Sequence, residues 1–206
     1  LNPYAWNLAS TPYEDSNPKF PEAEKVNDIA YGKNRALLAW YTVDGIFTRK
    51  SSSSRPRHLT NDDLSNHYTR GVSYKEIFPN KELGTNDNTT LPVLNLAFYP
   101  NERGPYNLDA ENVNSDGTLG NPEKRWGGVM RKIEPSDLES ANYEYIEFWL
   151  LDPYLEDETA EGGDLYFNLG EISEDILKDE RKFFENGMPV DGDMSKVDTT
   201  VWGKVP

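Results

Sequence analysis

The spacing of apolar residues predicts helices in the N-terminal part of the chain. Residues 34–43 place apolar side chains at i, i+3, i+4 and i+7, the spacing of one helical face: Ala36, Ala39, Trp40 and Val43. A second, short helix is predicted within residues 60–68, because Thr60 and Asp63 have the spacing of a helix-opening cap. We therefore expect two core-facing helices before residue 90.

The pattern changes to one typical of strands in the C-terminal half. Residues 91–99 form a nearly continuous apolar run, which favours a buried strand. Residues 129–133, 143–151 and 164–169 are short, aromatic or β-branched, and separated by turn-rich stretches. In residues 143–151 both alternating sets are largely apolar, which predicts an interior strand covered on both faces. A late amphipathic helix is predicted near residues 173–186.

These elements predict an α+β fold in a single domain over residues 1–206. Residues 1–90 are expected to be helical and irregular, and residues 91–206 to form a β-sandwich against which the N-terminal helices pack. The aromatic strands around Trp126, Trp149 and Phe167 resemble those of a galactose-binding jelly roll, a family that includes many carbohydrate-binding modules.

Composition excludes several functions. The chain has no Cys, so disulfides, thiolate metal sites and a Cys nucleophile are excluded. Its net charge is −15; residues 1–103 carry 12 basic and 12 acidic side chains, and residues 104–206 carry 9 and 24. Phosphate repulsion disfavours nucleic acids and anionic membranes, whereas a basic protein partner or a solvated acidic surface both fit this charge.

The hydropathy of the chain and its two ends predict whether it spans a membrane and whether it is part of a longer protein. No apolar run approaches the roughly 18 residues of a membrane-spanning helix, so we expect a segment that does not span the membrane. The abrupt start and end favour a piece excised from a longer protein over a chain whose signal peptide has been removed.

The sequence predicts no enzyme. His58 and His67 are the only histidines, and no nucleophile elbow, P-loop or dinucleotide-binding motif is present. Glu147 lies between Tyr145 and Trp149 on one face of its predicted strand, the most suggestive position for a catalytic carboxylate. A glycosidase stays an alternative only if two carboxylates face each other across a cleft.

One loop fits the pattern of a calcium site. Oxygen-bearing side chains occupy alternate positions before a glycine and a glutamate in the twelfth place: Asn112, Asn114, Asp116, Thr118 and Glu123. Flanking Pro and Gly residues exclude the helices of an EF-hand, and two carboxylates alone predict weak affinity. The alternative is an Asx-rich turn held by its own side chains.

Seven stretches, spread over nearly the whole chain, form a distinctive set: 2–12 (NPYAWNLASTP), 31–44 (YGKNRALLAWYTVD), 64–70 (LSNHYTR), 98–107 (FYPNERGPYN), 124–131 (KRWGGVMR), 143–154 (YEYIEFWLLDPY) and 163–187 (GDLYFNLGEISEDILKDERKFFENG). These stretches resemble the SprA/Sov family, the large outer-membrane proteins of type IX secretion and gliding motility in Bacteroidetes.

This resemblance implies a non-enzymatic domain of a cell-surface translocon, acting as scaffold, gate or docking surface. It also implies a place in the cell envelope, at the outer membrane or cell surface, with a PorV-like shuttle, a plug protein and cargo as partners. It supplies no catalytic residues. The alternative function is a carbohydrate-binding or calcium-stabilised adhesive module, and the two differ in whether the tryptophans are buried or exposed in a groove.

Overall fold

The structure, a computed structural model, describes residues 2–10, 20–25, 29–48, 53–107, 109, 111–134, 139–140, 142–155, 157–170, 193, 195, 198–200 and 203–205. Its strands and helix are β1 (Asn7–Leu8), β2 (Ala36–Tyr41), β3 (Val72–Ser73), α1 (Tyr74–Ile77), β4 (Thr90–Leu91), β5 (Asn95–Arg103), β6 (Val129–Met130), β7 (Asp198–Thr200) and β8 (Gly203–Val205). The short 3-10 turns are Pro3–Ala5, Pro21–Glu24, Ile29–Gly32, Gly45–Phe47, Asp63–Ser65 and Pro122–Lys124.

The chain folds into two compact units. Unit 1 contains Thr42–Leu94 and Lys132–Phe167, and unit 2 contains Asn2–Tyr41, Asn95–Arg131 and Asn168–Pro206. Each unit joins segments that are distant in sequence, so neither is a simple half of the chain. The expectation of one domain over residues 1–206 stays a prediction.

Unit 2 is organised by the antiparallel pair of β2 and β5. Leu38 lies opposite Phe98 and Trp40 opposite Leu96, and the register shifts between Ala36 and Leu37. Because proline cannot donate a main-chain hydrogen bond, Pro100 is tolerated where the ladder is irregular. Three more antiparallel pairs are found in the described residues: β1 with β6 and β7 with β8 in unit 2, and β3 with β4 in unit 1.

The main chain around Trp126 crosses beside the start of β2. Ala36 N donates to Trp126 O over 2.8 Å, and Trp126 N donates to Asn34 O over 3.0 Å. Close glycine contacts let these segments approach each other: a Cβ atom on Gly104 would lie 2.5 Å from Ala36 O, and one on Gly127 would lie 2.8 Å from Leu38 Cβ. Unit 2 is therefore held by main-chain contacts that leave no room for side chains at these glycines.

Unit 1 contains short elements stabilised by caps. The Thr60 and Asp63 pair bonds reciprocally, with Thr60 N donating to Asp63 Oδ2 over 2.7 Å and Asp63 N donating to Thr60 Oγ1 over 3.2 Å. The reciprocal bonds have the predicted pattern, but the helix predicted within residues 60–68 is not formed: the 3-10 turn Asp63–Ser65 takes its place, and its N-cap residue, Asp62, makes no side-chain cap hydrogen bond. Ser73 caps α1, and Arg70 forms a bidentate ion pair with Glu76.

The predicted α+β sandwich with helices packed on it is wrong. The described residues form short strands in two-stranded sheets, coil and one short helix, α1. Within residues 34–43, where a helix was predicted, Ala36–Tyr41 form strand β2, because this segment is apolar at every position and fits both periods. Pairing with β5 then decides the outcome, since tertiary contacts override a weak helical preference.

Of the strands predicted in the C-terminal half, some are formed in part and others are not formed in the described residues. The apolar run at residues 91–99 does lead into a strand, but β5 covers 95–103 and much of it is exposed. At residues 129–133 only the two residues of β6 pair, and no ladder includes residues 143–151 or 164–169 in the described part of the chain. A strand-like pattern shows only that the side chains favour an extended backbone, whereas a hydrogen-bonded ladder also needs a partner strand. The helix predicted near 173–186 lies outside the described residues.

The close approach at Gly104 generates a stability prediction. Gly104→Ala places a methyl group against the Ala36 carbonyl, so we expect the free energy of unfolding to fall by about 1–3 kcal/mol in chemical denaturation. Gly120→Ala is the matched control in the same unit, because its Cβ would meet Asn112 O at 3.5 Å, an ordinary contact. Equal stability of the two variants would contradict the assigned backbone packing.

Candidate functional site

A buried ion pair lies at the centre of the polar network in unit 2. Asp109 Oδ2 and Arg125 Nη1 are 2.9 Å apart, and both side chains are at most 1% exposed. Arg125 also donates to Lys33 O over 2.6 Å and twice to Gly120 O, over 2.9 and 2.7 Å. One guanidinium group therefore ties the carboxylate of Asp109 to the main chain at Lys33 and at Gly120.

The carboxylate of Asp109 is held by further donors. Its Oδ1 accepts from the main-chain N–H groups of Glu111 and Asn112, and the Asn112 amide group donates to both oxygens. Burial acts to raise the pKa of Asp109, but the hydrogen bonds from Asn112, Arg125 and Glu111 outweigh it and hold that pKa below its ordinary value. The group is thus stabilised in its charged form.

A second buried charged group lies against Trp126. The Arg35 guanidinium carbon is 4.6 Å from the centroid of the Trp126 ring, and Trp126 Nε1 donates to Glu22 Oε1 over 2.6 Å. Both Arg35 and Glu22 are almost fully buried, at 1% and 4% exposure. A cation stacked on a desolvated indole is worth about 2 kcal/mol. These charges hold unit 2 together and are enclosed by it, so the arrangement favours a structural role.

The loop predicted to bind calcium forms a tight turn. Val113 and Leu119 form an antiparallel bridge, and Gly117 adopts a positive φ of 87°. Asp116 Oδ1 accepts from Thr118 N over 3.0 Å and from Thr118 Oγ1 over 2.7 Å, while Asn114 Nδ2 donates to Thr118 Oγ1 over 2.9 Å. The structure therefore brings these three side chains together through direct hydrogen bonds.

The other two residues of the predicted calcium loop lie differently. Asn112 bonds to Asp109 through its amide nitrogen and accepts from Asn121 through Oδ1 over 3.2 Å. Glu123 is exposed on the 3-10 turn Pro122–Lys124. The hydrogen bonds are those of an Asx-rich turn, and calcium binding stays a prediction because it requires several of these bonds to be exchanged for metal contacts.

The groups considered for catalysis are not assembled in the described residues. His67 Nε2 lies 2.8 Å from Asp152 O, His58 is exposed, and Glu147 is exposed. In the same described ranges, no group of three His, Cys, Asp or Glu side chains has the arrangement of a metal site.

The most unusual surface of the molecule is formed by large apolar side chains of unit 1. We call it the 143–167 surface; its members are Tyr143, Tyr145, Ile146, Phe148, Trp149, Leu150, Leu151, Tyr154, Leu155, Leu165, Tyr166 and Phe167. Their exposure ranges from 38% for Leu151 to 79% for Tyr145, with Trp149 at 72%. A concentration of exposed aromatic and aliphatic groups of this kind marks an interaction site.

The 143–167 surface is fixed by a few contacts within unit 1. The Phe148 and Phe167 rings lie 4.5 Å apart, and Phe78 meets Trp149 edge-on at 6.4 Å. Just after residue 151, Tyr68 Oη donates to Pro153 O over 2.8 Å, next to the His67 contact with Asp152. These contacts position residues 143–154 but leave their apolar side chains exposed.

Within residues 143–167 themselves, the charged side chains have one sign. Residues 143–167 contain eight acidic residues and no Lys or Arg. The acidic excess and the aromatic alternation are evident in the sequence, but this alternation predicts burial on both faces, and the exposure of these side chains contradicts that prediction. Trp40 and Trp126, in contrast, are partly buried and donate their indole N–H groups to Pro3 O and Glu22.

No protein-family model and no curated protein matches the chain. Where the structure describes the chain, it contains no helix with the length and apolar character to cross a membrane.

The buried ion pair generates a pH-dependent prediction. Asp109→Asn leaves the Arg125 charge buried without its counter-ion, so we expect the free energy of unfolding to fall by about 3–5 kcal/mol at pH 7. Because the folded pKa of Asp109 lies below its ordinary value of 3.8, the wild-type advantage is complete above that pH. It disappears as the pH falls through the folded pKa, so denaturation curves of wild type and variant should converge in acid.

Glu111→Gln is the control for this experiment. It removes the exposed ion pair with Lys33 in the same region, and we expect a loss of about 0–1 kcal/mol. A difference between wild type and Asp109→Asn that stays constant down to low pH would contradict the assigned role of the carboxylate.

The calcium hypothesis has a direct measurement. With two carboxylates in the loop, we expect a dissociation constant of about 10⁻⁴–10⁻³ M or weaker, measured by calorimetry and by terbium luminescence sensitised by nearby aromatic groups. Asp116→Asn should abolish the signal, whereas Asp87→Asn, in a turn of unit 1, should not. Absence of binding by wild type at millimolar calcium eliminates the site.

Proposed function

We propose that this chain is a non-enzymatic segment of a SprA/Sov-like outer-membrane translocon that serves type IX protein secretion and gliding motility. It acts there as scaffold, gate or docking surface, in the cell envelope at the outer membrane or cell surface. Its partners are proteins of the secretion machinery: a PorV-like shuttle, a plug protein and cargo. The observation that carries this proposal is the exposed, acidic 143–167 surface.

The positions of the charged and apolar groups support a docking function. The buried charges of unit 2, Asp109, Arg125 and Arg35, are committed to hydrogen bonds, an ion pair or ring stacking that hold main-chain segments together. The apolar groups that an isolated domain would bury are, in residues 143–167, exposed to solvent. Burying a side chain such as Trp149 contributes about 1.5–3 kcal/mol, so twelve exposed groups provide ample driving force for association with a protein.

The resemblance gives this docking surface its biological setting. The stretch at 143–154 that resembles SprA/Sov proteins, YEYIEFWLLDPY, contains eight of the twelve exposed apolar residues of the surface. A translocon segment needs surfaces that other subunits or cargo cover, and it needs no catalytic groups.

A secretion assay in the source organism tests the proposal. Replacing Tyr145 and Trp149 together by Ser removes two of the most exposed rings without emptying a buried site, so we expect cargo secretion and gliding to fall at least about tenfold while the protein still reaches the envelope. Tyr4→Ser is the matched control, because Tyr4 is an aromatic residue that is 93% exposed in unit 2. Normal secretion after disruption of the whole gene overturns the proposal.

A second candidate is a carbohydrate-binding module, because Trp149 and Tyr145 are solvent-facing rings of the kind that stack on sugars. Saturable binding of neutral oligosaccharides that is lost in Trp149→Ala, together with intact secretion in the Tyr145 and Trp149 double variant, would favour this candidate. Loss of secretion without sugar binding favours the translocon.

A further inference from the structure

The main chain of residues 143–151 has the features of a strand without a neighbour. It runs to Asp152 without a turn or bend, and within the described residues none of its N–H or C=O groups takes part in a main-chain hydrogen bond. Unpaired main-chain groups along a straight segment are a template for pairing with another strand. The apolar alternation on both sides of the segment is the pattern of a strand inside a sheet.

The two alternating sets of side chains define what a partner strand must offer. On one side Phe148 already touches Phe167, and Ile146 and Leu150 lie at the flanking positions. On the other side Glu147 lies between Tyr145 and Trp149, all three of them exposed. Directly opposed residues interact most strongly across an antiparallel pair, so a partner strand should offer apolar residues on the face of Ile146, Phe148 and Leu150. On the face of Glu147 it should offer basic residues, which also interact favourably with the neighbouring aromatic rings.

The charge of the surface selects against other occupants. With eight acidic residues and no basic one in residues 143–167, a second copy of the chain would bring like charges together. A segment that alternates apolar and basic residues supplies both the apolar contacts and the opposite charge. Main-chain pairing then provides affinity, and the alternate side chains provide selectivity.

We propose that residues 143–151 bind a partner protein by strand addition, and that the added strand alternates apolar and basic side chains. This inference rests on the proposed function, in which the same surface docks partners, and it names the chemistry of the docked segment. The partner pairs its main chain with that of residues 143–151 and places a Lys or Arg beside Glu147.

Hydrogen exchange with peptide fusions of the 206-residue chain tests this proposal. A ten-residue peptide of alternating Val and Lys is joined to the C-terminus by a flexible Gly/Ser linker, which gives an effective concentration on the order of millimolar. We expect the amides of residues 145–150 to exchange fast in the unfused chain and at least about tenfold more slowly in the fusion. Fast exchange in both, or slow exchange already in the unfused chain, overturns the proposal.

Two controls separate strand addition from nonspecific contact. The first control is a fusion whose peptide alternates Val and Glu. The second is a fusion whose peptide alternates Val and Lys but has every second amide N-methylated. In both controls the amides of residues 145–150 should exchange as fast as in the unfused chain. With free labelled peptide, Glu147→Lys should weaken binding of the basic peptide about fivefold to tenfold, whereas Glu82→Lys, at an exposed site elsewhere in unit 1, should not. Equal protection by the Lys and Glu peptides contradicts the proposed chemistry.

The outcome is distinguishable from failure of the proposed function. If the amides of residues 145–150 are not protected in the fusion, but secretion is lost in the Tyr145 and Trp149 double variant, strand addition is overturned and the docking function stands. Protection in the fusion combined with normal secretion overturns the proposed function and leaves strand addition as a property of the surface.

Discussion

The fold of unit 2 depends on the ion pair between Asp109 and Arg125, because both groups are enclosed and neither tolerates loss of the other. Arg125 uses its remaining donors on the carbonyl groups of Lys33 and Gly120, so the pair fixes the loop that follows β5 against the start of β2. Isolated charges in such a position would be strongly destabilising. The pair is stable because hydrogen bonds satisfy the carboxylate and the guanidinium group at the same time.

That framework and the 143–167 surface divide the molecule into parts with different physical roles. In unit 2 the charged groups of Asp109, Arg125 and Arg35 are buried, whereas in unit 1 aromatic and aliphatic groups of residues 143–167 are exposed in a segment that also carries acidic residues. Such a surface is costly for an isolated chain, since it leaves a large hydrophobic driving force unused. A function in macromolecular recognition accounts for both parts, and it requires no reactive group.

Sequence patterns predicted those features that depend on neighbouring residues. The capping pair Thr60 and Asp63 and the turn around Gly117 were predicted because their bonds lie within a few positions. β2 was predicted as a helix because Ala36–Tyr41 is apolar throughout and its pairing with β5 depends on residues about 60 positions away. The same limit applies to Asp109 and Arg125: neither position belongs to a periodic pattern, and only the folded loop brings them together. Residues 143–151 were predicted to form a buried interior strand, but they are exposed and belong to no ladder among the described residues, because the pattern of side chains does not state whether a partner strand is present in the same chain.

Hydroxyl-radical footprinting of the aromatic residues, compared between the isolated chain and intact cell envelopes, tests the central claim most directly. The account predicts that Tyr145 and Trp149 are oxidised rapidly in the isolated chain and are protected in the envelope, where a protein partner covers them, while Tyr4 reacts equally in both. Protection of Tyr145 and Trp149 in the isolated chain, or equal oxidation in both states, would contradict the claim that this surface exists to be covered by another protein.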